Sequence, residues 1–273
     1  MKLSPIFLVL AFLLTGCSQK DDAWLGYAEG EYAFIAAPTA GWVTKVFVGR
    51  GDWVKDGDPL FTLDDPAQVA ARDAAQATIA QAEGQLGQAR ANLDLAQKQL
   101  ARQEGLLRAN ATAKQNYDLA KSTYDAALAQ VAQIEATETQ ARATLANAAY
   151  QLSQRAITSR TTGRVQEIYF RQGEYAPAMT PVVSVLPPKN VFIRFFVPET
   201  QFAKIHLGQK VKIGCDGCGD IEGTISFIAA QEEFTPPVIF SIGSREKLVF
   251  KIEARAPGGL KLNPGQPVDV RPL

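Results

Sequence analysis

A chain of 273 residues has room for two domains of ordinary size, and its 28 Lys plus Arg balance 28 Asp plus Glu to leave no net charge. That balance removes the electrostatic case for a nucleic-acid partner, and a single histidine with three cysteines supplies few ligands for metal chemistry. The chain opens on Lys2, an apolar run from Ile6 to Leu14, and the segment Leu14-Thr15-Gly16-Cys17. The run is far short of the roughly 20 apolar residues that cross a bilayer, and no later stretch is long and apolar enough to do so.

This opening resembles a bacterial lipoprotein signal with its lipobox. The resemblance implies removal of residues 1–16, acylation of Cys17, and a mature chain anchored to a membrane and exposed to the periplasm. The competing reading is an ordinary cleaved signal in which Cys17 is incidental. Among lipoproteins, aspartate after the modified cysteine favours the inner membrane. Ser18 stands there instead, so outer-membrane anchoring stays open, with the inner membrane favoured.

Beyond the leader, composition divides the chain into a β-like segment to Asp65, an alanine- and glutamine-rich segment to Arg155, and a second β-like region. After Pro66 the middle segment has no proline and only Gly84, Gly87 and Gly105, as long helices require. Ile79, Leu86, Leu93, Leu100 and Leu107 recur every seventh residue, with Ala82, Ala89, Ala96 and Gln103 between them. After a break at residues 108–112 a second register runs through Tyr117, Tyr124, Val131, Glu138, Leu145 and Leu152, interleaved with Ala120, Ala127, Ile134, Ala141 and Ala148. Two matched heptad runs with alanine at one seam position predict an antiparallel hairpin with arms at 66–108 and 113–156, each a rod of about 65 Å. The heptads alone suit a helical bundle or a parallel homodimeric coiled coil equally well.

The flanking sequence decides between these. Residues 38–63 and 160–185 are two copies of one motif at a constant offset of 122 positions: Gly41 matches Gly163, Val43 matches Val165, Gly51 matches Gly173, Pro59 matches Pro181 and Leu63 matches Val185. Each copy resembles half of a biotinyl or lipoyl domain, with the G-x-x-V-x-x-G-x-x-L turn at Gly51, Val54, Gly57 and Leu60. A half-barrel cannot bury its own apolar face, so the halves pair and the inserted hairpin brings the chain back. Split lipoyl halves around a hairpin resemble the periplasmic adaptor, or membrane-fusion, proteins of the HlyD-like class. A swinging carrier domain fits poorly, because the turn that would present the carrier lysine is replaced by the helices.

The resemblance implies an α+β, elongated, multi-domain chain. Residues 17–35 form a tether and the first part of the β region, 36–65 and 157–188 are the lipoyl-like halves, 66–156 is the hairpin, and 189–273 is a small β-barrel. Adaptors that dock on TolC-type channels carry arginine, leucine and serine at the hairpin tip. Arg102 and Leu106 match, while Ala113 replaces the serine, which removes a hydroxyl that could cap the second helix; Thr112 is the available substitute. In the barrel, Phe234-Thr235-Pro236 and Leu248-Val249-Phe250 look most like adaptors of ABC transporters. The chain ends almost where the barrel does, so a membrane-proximal domain is expected to be absent or confined to the stretch before Ala36.

The remaining candidates for chemistry are sparse. Cys215-Asp-Gly-Cys218 suits a loop disulfide, a redox pair, or half a metal site; a disulfide or two simple thiols near a turn is the favoured reading, since zinc wants four ligands and no second pair is present. His206 has no assignable nucleophile partner. The expectation is therefore a non-enzymatic adaptor without cofactor or metal. The resemblance to the adaptor family further implies that it is tethered through Cys17, assembles as a ring of six, and links an inner-membrane transporter of ABC type to a TolC-type outer-membrane channel. The competing class is a stand-alone envelope scaffold whose coiled coil holds a partner.

Overall fold

The structure is a computed structural model that describes residues 23–234 and 248–273. The leader, Cys17 and Ser18 lie outside the described residues, as do Thr235 and Pro236. Two compact units emerge: Phe34–Val185 is one, and the segments up to Ala33 and from Leu186 onward form the other.

Within Phe34–Val185 the two sequence copies become strands β3 (Gly41–Val46), β4 (Trp53–Val54) and β5 (Pro59–Leu63), and β7 (Gly163–Ile168), β8 (Tyr175–Ala176) and β9 (Pro181–Leu186). The same offset also relates β2 (Ala33–Ala36) to β6 (Ala156–Thr158), so the structural repeat starts earlier than its sequence signature. The sheets run β2-β9-β7-β4 and β6-β5-β3-β8, which places two short strands from each copy, one at either end, in the other copy's sheet. Val54 and Trp53 pair with Gly163 and Arg164, and symmetrically Ala176 and Tyr175 pair with Gly41 and Trp42. This exchange closes one core over Val43, Leu60, Phe61, Val165, Val182 and Val183, all at most 1% exposed. Each fully buried side chain of this size is worth about 1.5–3 kcal/mol relative to exposure.

Glycine is required where the strands turn. Gly51 and Gly173 have φ of 89° and 87°, and their amides donate to Val165 O and Val43 O at 2.8 Å each. The next turn breaks the symmetry: Gly57 has φ 90°, but its counterpart Met179 is held at φ 59° with its side chain in solvent. Both amides are engaged, Gly57 N–H with Ser159 O at 2.8 Å and Met179 N–H with Ala37 O at 2.9 Å.

Helices α1 (Pro66–Arg108) and α2 (Lys114–Ser153) form the predicted antiparallel hairpin, folded within one chain. From Tyr117 to Leu152, every position that is not exposed is one of the heptad positions read from the sequence. On α1 the buried residues are Ala75, Ile79, Ala82, Leu86, Ala89 and Ala96. Alanine at alternate seam positions lets the backbones approach, as the pattern requires. The second arm stops at Ser153 rather than 156, because Ala156 already pairs with Thr62 as the first residue of β6.

The other unit is a closed six-stranded antiparallel barrel. Its strands are β1 (Trp24–Gly30), β10 (Val191–Pro198), β11 (Lys210–Gly214), β12 (Ile221–Phe234), β13 (Leu248–Arg255) and β14 (Pro267–Pro272), in the order β1-β10-β13-β12-β11-β14 with β14 returning to β1. Alternation sends Ile193, Phe195, Val197, Val211, Ile213, Ile252 and Val270 inward, none of them measurably exposed. The barrel does not begin where the C-terminal alternation begins: the 17–35 stretch supplies β1, which closes the gap between β10 and β14. Arg194 on β10 clamps that strand by pairing with Glu29 of β1 and, at 2.8 Å, with Glu253 of β13. Burial opposes its charge, but the hydrogen bond to Glu253 and the nearby Glu29 hold the guanidinium pKa above its usual value.

The symmetric turns make a direct stability test. Gly57→Ala should cost roughly 0.5–1 kcal/mol, the left-handed penalty less the entropy removed from the unfolded chain, and Met179→Gly should gain about 0.5 kcal/mol by the inverse balance. Urea unfolding followed by tryptophan fluorescence reads both; equal effects of the same sign would contradict the geometry.

Candidate functional site

The hairpin has a root in the β module, a shaft and a distal tip. At the root, β5 and β6 pair antiparallel, with Phe61 opposite Ile157 and Thr62 opposite Ala156. The Leu63 amide donates to Arg155 O at 2.8 Å, and Arg155 Nη1 donates to Ala40 O at 2.8 Å. Asp64 accepts from the Trp42 amide at 2.7 Å, while its own amide donates to Trp42 O at 2.9 Å. Gly41 allows this closeness: a Cβ there would stand 2.6 Å from Asp64 Oδ1 and 2.8 Å from Arg155 Nη1. The root is therefore gripped by the first lipoyl-like half, which fixes where the arms leave it.

Along the shaft, Arg90 pairs with Glu135 at 2.8 Å and Arg142 reaches Glu83 at 3.2 Å, each joining the two helices. Glu138, at a seam position, turns its carboxylate out to Arg142; this hydrogen bond and the attraction between the two charges raise the arginine pKa. Exposed pairs of this kind stabilise little. They do select one register of the arms.

The tip is a closed turn. Ala111 N–H donates to Leu106 O at 2.8 Å and Asn110 N–H donates to Leu107 O at 3.0 Å, with Asn110 at φ 55°. These are the two bonds of a Schellman helix end, with asparagine at the left-handed position that glycine usually fills. Thr112 does not cap α2 as the sequence reading allowed. Its hydroxyl instead donates to Gln103 Oε1 of α1 and accepts from Asn116 Nδ2 of α2, both at 3.1 Å, and so ties the arms together. Ala113 is the extended residue before α2 and offers no side-chain cap. The bridging role of Thr112 depends on residues nine before and four after it, which no local motif links; the asparagine just beyond the last helical residues was a readable stop signal.

Arg102 and Leu106 lie one turn apart on α1, each one position before a seam residue, Gln103 and Leu107, and so face outward. Leu106 is 38% exposed, and Arg102 is exposed with no ion pair or hydrogen bond to another described residue. Ala113 is also exposed in the adjoining turn. The structure thus gathers all three predicted tip residues at the distal end of the hairpin, as a solvent-facing cation, an apolar side chain and a smooth turn.

Elsewhere, Cys215 and Cys218 form a disulfide across the turn after β11, with Cα atoms 5.4 Å apart. His206 is exposed in a turn, where its amide donates to Gln209 Oε1 at 3.0 Å. Among the described residues no group of three or more His, Cys, Asp and Glu side chains could hold a metal, and no helix is long and apolar enough to cross a membrane.

Comparison with known proteins agrees with this geometry. Residues 78–155 match the family model "RND MFP, alpha-helical hairpin domain". The chain is 28% identical over 234 residues to the multidrug export protein EmrA of Escherichia coli, across 74% of this chain and 59% of that protein. It is also 27% identical over 184 residues to an uncharacterised Haemophilus influenzae protein, across 67% of this chain and 41% of that one. The chain therefore spans about two fifths to three fifths of the length of these two relatives. In fold it resembles MacA from Actinobacillus actinomycetemcomitans, with a TM-score of 0.70 at 22% identity over 91% of this chain and 76% of that one.

The left-handed turn residue supports a prediction. Asn110→Val, which puts a β-branched residue at φ 55°, should destabilise the tip by about 1–2 kcal/mol and speed amide exchange at residues 106–116, leaving the root unchanged. Uniform acceleration along both arms would mean that the tip does not open independently.

Proposed function

We propose, from the premise that the chain belongs to the membrane-fusion, or periplasmic adaptor, family, that it is the lipid-anchored adaptor of an export system and joins an inner-membrane transporter to a TolC-type outer-membrane channel. The observation that carries this reading is the hairpin: two arms of 43 and 40 residues, about 60 Å long, rooted in a split lipoyl-like module and ending in a closed turn with Arg102 and Leu106 outward. A rod of this length serves no catalytic purpose, and it presents its distal side chains far from its root. The mechanism is mechanical. Cys17 holds the chain at the inner membrane, the β modules associate with the transporter and with neighbouring copies, and the hairpin ends contact the channel.

Leu106 supplies an apolar anchor and Arg102 a directional charge, a pairing suited to the centre of a small interface. A single tip buries little area. Six copies in a closed ring would multiply individually modest contacts into a stable joint. Energy comes from the partner: no G-x-x-x-x-G-K-[ST] phosphate loop occurs in the sequence. The Leu248-Val249-Phe250 segment, with Phe234-Thr235-Pro236, supports a transporter of ABC type, although the matched hairpin model carries the RND designation. Identification of the co-purifying transporter settles that point.

Two experiments test the assignment. A photo-crosslinking amino acid at Leu106, activated in intact cells, should recover an outer-membrane channel, and purification of the same membranes should recover a transporter. A transporter without the channel overturns docking through this tip, and neither partner favours the envelope scaffold. Separately, Cys17→Ser should shift the chain from the membrane to the soluble periplasmic fraction; unchanged membrane retention would refute the lipid anchor.

A further inference from the structure

The barrel carries a cleft that the hairpin mechanism does not use. Its volume is about 650 Å³, within the range of small-molecule sites, and its lining includes Leu25, Tyr27, Phe196, Asp216, Pro267 and Asp269. The lining follows from strand alternation. Inward residues of β1 and β14 fill the barrel core, so Leu25 and Tyr27 point outward, opposite Asp269 and Pro267 of β14. Phe196 on β10 continues the wall, its ring 6.3 Å from that of Tyr27. The far side is the turn after β11, where Gly214 pairs with Asp269 and the Cys215–Cys218 disulfide holds Asp216 over the cleft.

We propose that this cleft binds an amphipathic organic cation, with the apolar body against Leu25, Tyr27 and Phe196 and the charge beside Asp216 and Asp269. Two features single out that chemistry. The half-buried rings of Tyr27 and Phe196 and the exposed Leu25 favour an apolar ligand, and aromatic rings attract a cation to their faces. The two carboxylates have no ion-pair partner among the described residues, and they lie at one end of the apolar wall. The cations nearby are all engaged: Lys212 is held by Asp220 at 2.7 Å, Arg271 also has a partner, Arg194 opposite Tyr27 pairs with Glu29 and Glu253, and Lys251 opposite Phe196 pairs with Glu233 at 2.6 Å. An anionic ligand would be repelled by the two carboxylates. A neutral apolar ligand would leave them unused.

The test is independent of any transporter or channel. The full chain in lipid nanodiscs is titrated calorimetrically with tetraphenylphosphonium and with the near-isosteric anion tetraphenylborate, and protein-free discs are subtracted. Saturable binding of the cation alone is expected. The double variant Asp216→Asn/Asp269→Asn, both exposed positions, should weaken the cation about tenfold or more with an unchanged melting curve, and Phe196→Ala should weaken it independently. Equal binding of the two ions, unchanged affinity in the double variant, or no cation uptake above that of the empty discs would overturn the proposal.

Discussion

The constraint on which the hairpin unit depends is that neither lipoyl-like half can bury its apolar face alone. The halves solve this by exchange, each lending two short strands to the edges of the other's sheet, so that the bonds from Gly51 to Val165 and from Gly173 to Val43 are mirrored across the copies. A chain that must return to complete its own core can carry an insertion only if the insertion ends where it began. An antiparallel hairpin with arms of 43 and 40 residues meets that condition, and a parallel or open helical segment does not. The closed core therefore explains the closely matched arms, and the matched arms explain why the tip is a tight turn rather than a free end.

The same economy places precision where the hairpin meets the module. The shaft is held by a seam of alanines and leucines with exposed ion pairs that choose register, whereas the root is held by backbone pairing, the Asp64 and Arg155 hydrogen bonds and the absence of a Cβ at Gly41. A small angular error at the root would become a large displacement about 60 Å away. Rigidity at the base is thus what gives the exposed pair at Arg102 and Leu106 a defined position relative to the β module that carries it.

The barrel works by a separate rule. Six strands fill their own interior with Ile193, Phe195, Ile252 and their neighbours, which leaves the outer face free for other uses. Part of that face is spent on strand-to-strand clamping, as at Arg194 with Glu29 and Glu253. Another part, between β1, β14 and the disulfide-closed turn, remains an open cleft with two carboxylates.

The helices, their seam and the split repeat were legible in the amino-acid order, because heptads and a constant 122-residue offset are one-dimensional signals of which side chains must be buried. The break between the heptad runs locates the turn, whereas Arg102, Leu106 and Ala113 were named as tip residues from the resemblance to channel-docking adaptors. Partnerships that join distant positions lay beyond that reading. The closure of the barrel by β1, the bridge from Thr112 to both arms, the placing of Met179 in glycine's conformation and the cleft beside Asp216 and Asp269 all depend on which segments meet after folding. Burial patterns recur locally along a chain, whereas cross-strand register and side-chain proximity are set only when the closed cores bring remote residues together.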